Sequence, residues 1–228
     1  MQIDTAIVTG ATRGIGRQVA AALARRGIRV VATGRDLGLL NSLKAESGCI
    51  TIPCDLRDPD RVLTFYNEAR DILGDVDLLV NNAGFNSRKA AIMETGMEEF
   101  EAQYAVNLRA PYILCREALQ DMSVRRTGHL VNVLSTVCRG TIPSMGVYSA
   151  MKYGLMGLTQ VLIKEAREYN VKVTGVYPGG TDTEFRANAR PDYMKPESVA
   201  EMVLTAIFAP DDVVVHELTM RPIIESNF

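Results

Sequence analysis

Long apolar runs are missing from this chain. No stretch approaches the roughly 20 residues that a bilayer-spanning helix needs, although 47% of the 228 residues are hydrophobic. An excess of one charge is missing too. Lys and Arg total 25 against 27 Asp and Glu, a net charge of −2, and the basic spots RGIGR and RRTGH are short. Neither a nucleic-acid surface nor a membrane partner is expected from such a balance. Cysteine is scarce, and the four present, at 49, 54, 115 and 138, form no CxxC pair and have no histidine at ligand spacing. That argues against a metal site and an exported disulfide framework, and leaves free thiols as the expectation. The start, MQIDTAIVTGATRG, has no charged segment followed by an apolar core, so a cytoplasmic location is expected. No Pro/Gly/Ser-rich linker and no internal repeat divides the chain, so residues 1–228 are expected to form a single domain.

What is present is alternation. Short runs rich in Val, Ile and Leu (AIVTG, RVVATG, CITIPCD, DLLVNNAG, HLVNVLS, VKVTGVYPGG and VVVHELTMRP) are separated by longer helical patterns. Among these, GIGRQVAAALARRG closes at Gly27, one helix runs through about 97–122, and another begins at YSAMK. Strands alternating with helices predict an α/β fold. The expected form is a Rossmann-type doubly wound domain, a seven-stranded parallel sheet with helices on both faces. Residues 182–195, DTEFRANARPDYMK, stand out as a loop of functional length before the closing helix.

The first strand runs into TGATRGIG, Thr9 to Gly16, which opens the first helix. Glycines at such a junction let the chain bend tightly and let phosphate oxygens approach the free N–H groups of the helix. Gly10, Thr12, Arg13, Gly14, Ile15 and Gly16 are therefore candidate nucleotide contacts. At the end of the second strand an NAD-binding sheet places an acid for the ribose 2′-hydroxyl. Here the sequence reads ATGRD: Gly34 carries no carboxylate and Arg35 follows. With Arg13, two guanidiniums at that edge suit a 2′-phosphate, hence NADP(H). Asp36 opposes this reading unless it serves as a helix cap.

In YSAMK, Tyr148 stands four residues before Lys152. On a helix the two lie on one face, and a neighbouring cation favours the ionised phenol. Such a pair can exchange a proton with a substrate oxygen near neutral pH. Alone, the spacing describes any amphipathic helix carrying one of each.

The ordered set of motifs goes further. TGATRGIG, CDL at Asp55, NNAG at 81–84, Asn107 in AVNLRAP, Ser135 in VNVLSTV, YSAMK, and PGGTDT at 178–183 resemble the short-chain dehydrogenase/reductase family, along essentially the whole chain. The resemblance implies roles. Tyr148 would be the general acid and base, Ser135 would hydrogen-bond the reacting oxygen, and Lys152 would lower the phenol's pKa and hold the nicotinamide ribose. Asn107 would anchor a water leading from Lys152 to solvent. Asp55 and Leu56 would meet the adenine, Asn82, Ala83 and Gly84 the adenosine ribose, and Pro178, Gly179, Thr181 and Thr183 the nicotinamide. The family often has an aliphatic residue where Thr181 stands, and a backbone contact survives that change. It also implies a homotetramer or homodimer joined through the Asn107 and Tyr148 helices, with Leu155, Leu158 and Leu162 either at that interface or packed on the sheet. Independently, Pro111 has no N–H for the carbonyl of Asn107, which either frees that carbonyl for a water or merely kinks the helix.

The expected activity is thus NADP(H)-dependent interconversion of a small-molecule carbonyl and its alcohol. A 3-oxoacyl-thioester reductase and a non-catalytic NADP(H)-binding regulator are the alternatives. The tail HELTMRPI lacks the glycine-rich ending of typical 3-oxoacyl-carrier-protein reductases and resembles members acting on small ketones, sugars or hydroxy acids. A serine hydrolase built on Ser135 lacks the GxSxG elbow and a histidine partner. His129 and His216 read as strand-end or surface residues, Cys138 as a cleft or packed thiol, and Met145, Met151 and Met156 as core. Arg186 and Arg190 read as solvent-facing loop charges, with a substrate carboxylate as the other possibility.

Overall fold

Thr5–Thr9 forms the first strand, β1, with all five residues buried. Such two-sided burial is what a central parallel strand requires. The chain is described by a computed structural model over residues 1–86, 88–185 and 188–225; Arg186 lies outside the described residues. Following β1 come α1 (Gly14–Arg25), β2 (Arg29–Gly34), α2 (Leu37–Ser47), β3 (Ile50–Pro53), α3 (Pro59–Leu73) and β4 (Leu78–Asn81). The second half adds α4 (Met97–Tyr104), α5 (Ala110–Arg125), β5 (His129–Val133), α6 (Gly146–Glu165), β6 (Lys172–Pro178), α7 (Pro196–Ile207) and β7 (Glu217–Met220). All strands pair in parallel, in the order β3-β2-β1-β4-β5-β6-β7. The expected doubly wound seven-stranded sheet is what the chain forms.

Local chemistry fixes the element ends. Gly27, Gly48 and Gly74 take positive φ just past α1, α2 and α3, the stop signal glycine supplies cheaply. Asp36 and Asp58 cap α2 and α3 by accepting backbone N–H groups of Leu39 and of Asp60 and Arg61. Helices cover both faces. On one, Val19, Leu23, Val203 and Leu204 from α1 and α7 pack on Val8, Val30 and Val80; on the other, Phe65, Leu114 and Leu162 from α3, α5 and α6 pack on Ile7, Val31 and Leu79.

Two elements differ from the sequence reading. The helix expected over 97–122 is interrupted by a π turn, Ala105–Arg109, between α4 and α5. Pro111 stands in the first turn of α5, where a missing N–H removes a rung of the ladder. The last strand is also shorter than VVVHELTMRP suggests. Lys172 Nζ donates to the carbonyl of Val213 at 2.9 Å and Thr174 Oγ1 to that of Val215 at 2.7 Å. Side chains of β6 thus take acceptors that a strand ladder would otherwise use, and pairing is confined to Glu217–Met220.

Candidate active site

Because every strand runs the same way, the segments that follow them collect along one sheet edge. The register places Thr9 beside Thr33, Gly34 beside Pro53, Asn81 beside Asn132 and Val133 beside Val176. Crossovers diverge between β1 and β4, and ligands of such sheets bind at the crevice opened there. Asn82 closes the floor of that crevice. Its Nδ2 donates to the carbonyls of Thr9 and Gly10 at 3.0 and 3.2 Å, while Thr9 Oγ1 accepts the N–H groups of Asn82 and Ala83, each at 3.1 Å.

The glycines here have steric reasons. Gly10 has φ +65°, and a Cβ on it would lie 2.7 Å from Ala83 Cα; one on Gly16 would lie 2.4 Å from the Gly10 carbonyl oxygen. Gly34 makes room for Thr12 in the same way, with a Cβ falling 2.4 Å from its methyl. Gly14 (φ +56°) faces Thr183 from the loop after β6. The N-terminus of α1 carries no side-chain cap and no acid in its first turn, so its N–H groups and dipole remain suited to an anion. Ile15 packs partly into the core beneath it.

At the ribose edge, Arg13 Nη2 lies 3.9 Å from Asp36 Oδ2, both side chains being about half exposed (50% and 48%). Asp36 uses Oδ1 to cap α2, which is the capping role that competed with a ribose contact. Arg35 is exposed. Asp55 is gripped by its neighbour: Arg57 donates from Nη2 at 2.6 Å and from Nε at 3.0 Å. That guanidinium, helped by Arg35, holds the Asp55 carboxyl below the usual carboxylate range. Leu56 is buried in the core against α3.

The catalytic candidates stand at the other end of the edge. Lys152 is buried on α6, and its Nζ donates to the carbonyl of Val133 at 2.8 Å. Burial drives its pKa down from 10.5 to about 8, opposed by the Cys138 sulfur, and no carboxylate pairs with it among the described residues. One turn before it, Tyr148 is 7% exposed, with its ring centroid 5.9 Å from that Nζ. Ser135 follows β5 in extended conformation and caps a short 3₁₀ turn, Thr136–Cys138, by accepting the Val137 N–H at 3.3 Å. Asn107, fully buried in the π turn, accepts the Phe85 N–H on Oδ1 at 3.0 Å. Its Nδ2 donates to the carbonyls of Phe85 and Gln103 at 2.7 and 2.9 Å. Gly84 ties these together, since a Cβ there would lie 3.6 Å from Asn107 Oδ1 and 3.8 Å from Lys152 Nζ. Thr181 is buried, with Oγ1 donating to the Gly179 carbonyl at 3.2 Å.

Several neighbours lie beyond what the motifs indicated. Phe185 packs against Tyr148, ring centroids 5.8 Å apart, and comes within 3.9 Å of a Cβ placed on Gly84. Glu225 accepts the Gly180 N–H at 2.8 Å from the end of the chain. No periodicity or motif marks either residue; only the apolar Phe in a polar loop was a usable signal. Cys138 packs with Tyr148 and Tyr177, and burial raises its thiol pKa. Met151 is buried, Met145 and Met156 partly so. His129 is buried rather than exposed, with Nε2 at 2.8 Å from Thr174 Oγ1 and its pKa lowered to about 3 by burial and by Lys172. Arg190 is paired with Asp192 and stacked on Tyr193. Leu155 and Leu162 are buried, whereas Leu158 is partly exposed and lines a groove of about 450 Å³ between α5 and α6 with Tyr112, Leu119 and Tyr169. Among the described residues no cluster of metal-ligating side chains occurs and no helix is long and apolar enough to cross a membrane.

Comparison with known proteins agrees with this geometry. A family model described as short chain dehydrogenase matches residues 4–194. An uncharacterized oxidoreductase of Staphylococcus aureus (strain MRSA252) is 32% identical over 224 residues, covering 96% of each chain. A metagenomic short-chain oxidoreductase solved in complex with NADP superimposes with a TM-score of 0.87 at 31% identity, covering 97% of this chain and 98% of that one. The serine dehydrogenase of Escherichia coli superimposes with a TM-score of 0.88 at 26% identity, covering 97% and 99%. This chain belongs to the short-chain dehydrogenase family.

Proposed function

We propose that this protein interconverts a carbonyl compound and its alcohol using NADP(H), with Tyr148 exchanging the proton. The observation that carries the reading is the α6 pair: a buried lysine with no carboxylate partner among the described residues, its pKa drawn down to about 8, one turn from a nearly buried tyrosine. An unpaired buried cation is costly to a fold, so its benefit is to be sought in its neighbour. A cation there favours the phenolate and makes the Tyr148 hydroxyl a better proton donor to a carbonyl oxygen. Ser135 is the second donor for that oxygen and stabilises its developing charge. The nicotinamide cofactor, when bound, supplies or accepts the hydride. Residues fitting its phosphates are the glycine turn, the uncapped start of α1 and Arg13; those fitting its ribose and nicotinamide are Lys152, Pro178, Gly179, Thr181 and Thr183. Asn82, Ala83 and Gly84 line the crevice between the halves, and Asp55 and Leu56 bound the adenine side.

The choice of NADP(H) is supported by Arg13 and Arg35 at the ribose edge and by the commitment of Asp36 to its cap. Each charge-assisted contact to a 2′-phosphate contributes about 1.5–3 kcal/mol when water is partly excluded, less when exposed. A preference of about tenfold or more over NADH is expected, since ~1.4 kcal/mol is one decade. Fluorescence titration with both cofactors tests it, and tighter binding of NADH would remove the assignment. Turnover is tested by NADPH oxidation against small ketones, diketones, ketoses, 3-oxoacyl thioesters and, in reverse, 3-hydroxy acids; the likeness to serine dehydrogenase places the last class in the panel. Binding of NADPH without turnover of any class would favour the non-catalytic regulator.

Self-association through the α5–α6 face belongs to the same proposal. Its support is the groove there and the exposure of Tyr112 and Tyr169 beside it. A monomer by light scattering at micromolar concentration would oppose it.

A further inference from the structure

We infer that Glu225, near the end of the chain, is a positioning residue for the nicotinamide-side loop, acting through Gly180. The inference rests on the proposed cofactor reading. The loop between Thr181 and Met194 is closed at its neck by reciprocal backbone bonds. Asp182 N–H donates to the Met194 carbonyl at 2.9 Å, and Met194 N–H donates to the Gly180 carbonyl at 3.1 Å. Gly180 is thus the hub of the neck, and its own N–H goes to Glu225 Oε1 at 2.8 Å. The carboxylate is anchored in turn. Its Oε2 is buried, accepts no hydrogen bond among the described residues, and lies at ion-pair distance, 3.5 Å, from Nη1 of Arg221 four residues earlier, with both side chains mostly buried (12% and 17% exposed). Pro222 is buried and its carbonyl accepts the Glu225 N–H at 3.0 Å, while the Gly179 N–H donated to the Met220 carbonyl at 2.8 Å joins the start of the loop to the end of β7.

The two glycines after Pro178 lie directly against this seat. A Cβ on Gly179 would fall 2.5 Å from Glu225 Oε2, and one on Gly180 would fall 2.7 Å from Oε1 and 2.5 Å from the Tyr193 ring. Neither glycine has a positive φ, so the requirement is for space, and the space is filled by the tail carboxylate and Tyr193. Beyond the neck, the same loop carries Thr183 against Gly14 and Phe185 against Tyr148. A carboxylate 45 residues along the chain from Gly180 therefore sets where the loop meets both ends of the cofactor crevice. A buried charge held by two partners fixes position more tightly than neutral contacts do.

The test separates the cofactor's two halves. NADPH reaches the Phe185–Tyr148 end of the loop, whereas adenosine 2′,5′-bisphosphate carries only the adenosine half and stops at the glycine turn, where Thr183 is its one neighbour from the loop. Glu225→Ala is expected to weaken NADPH binding by about tenfold, the scale of one lost charge-assisted hydrogen bond, with adenosine 2′,5′-bisphosphate binding weakened far less. Glu225→Gln keeps an oxygen for the Gly180 N–H and is expected to recover most of that loss. Equal weakening toward both ligands would mean general loosening and overturn the inference, as would unchanged binding of both or a Gln variant as weak as Ala. If Glu225→Ala does not fold, Arg221→Leu removes the ion pair, with the same split expected at about threefold. A wild type preferring NADH moves the comparison to NADH and ADP-ribose; one that binds neither cofactor defeats the functional reading itself. Wild-type binding with unsplit variants defeats only the role of Glu225.

Discussion

The two halves of the crevice are made of different material. The phosphate half, from Gly10 to Gly16 with Asn82 beneath it, is backbone: positive φ, missing Cβ atoms and carbonyls held by one amide side chain. The half proposed to be catalytic is side chains, namely Lys152, Tyr148, Ser135 and Asn107, three of them buried and drawn from α6, the segment after β5 and the π turn. Backbone construction tolerates no added atom, while side-chain construction tolerates substitution and loses chemistry. The contrast predicts opposite failures for the two halves.

The largest effect is expected at Tyr148→Phe. Phenylalanine preserves the ring against Phe185 and removes the proton donor, so turnover should fall by about 10²–10⁴ while NADPH affinity stays near wild type. Steady-state kinetics beside a fluorescence titration would check this. Near wild-type turnover would remove the tyrosine from the mechanism.

Gly16→Ala should behave the other way. Its Cβ would fall 2.4 Å from the Gly10 carbonyl oxygen and 2.2 Å from Asn82 Nδ2, where backbone cannot yield cheaply. A cost of about 2–3 kcal/mol is expected, lowering Tm by about 5–10 °C, with cofactor binding lost alongside stability. Thermal melts with and without NADPH would show it. An unchanged Tm would mean that the turn is softer than its contacts imply.

A smaller effect, of opposite sign, is expected at Lys152→Met. The lysine's folded pKa, about 8, lies below its ordinary 10.5, so folding disfavours its charge. Removing that charge should raise stability by about 1 kcal/mol at pH 7, net of the hydrogen bond lost at Val133, while activity disappears. In the unfolded chain the lysine still binds its proton between pH 8 and 10.5, so wild-type stability gains with rising pH across that window. The gap between variant and wild type should therefore narrow there, which melts at pH 7 and 10 would check. A variant less stable than wild type at pH 7 would mean that Lys152 is held structurally.

The same contrast governs what could be read from the sequence. Gly10, Gly14 and Gly16 were legible because a tight strand-to-helix turn leaves a local signature, and Tyr148 and Lys152 because one helical turn fixes their spacing. Their ordering with Asn107 and Ser135 carried the family. Phe185 was legible only as an apolar residue in a polar loop and Glu225 not at all, since their contacts join segments far apart and obey no period. His129 was legible as a strand-end residue, but not its burial, which goes with a hydrogen-bonding contact to Thr174 on the next strand. The late start of β7 was hidden because Lys172 and Thr174 compete for carbonyls that a run of valines would otherwise offer to a ladder.

The π turn at Ala105–Arg109 has a geometric consequence for the helices it joins. Successive residues of an α-helix advance by about 100° around the axis, so one extra residue rotates everything downstream by about that angle. Without it, α4 and α5 would present one continuous stripe to one neighbour. With it, α5 turns Ala110, Leu114, Ala118 and Met122 onto the sheet, while α4 upstream turns Gln103 inward and leaves Met97 at the surface. The rod is phased twice, once for the core and once for the mouth of the crevice, and Asn107 sits at the change of phase. Deleting a single residue there would put the two stripes back in step, and either the core contacts or the amide at the crevice would have to swing out of place.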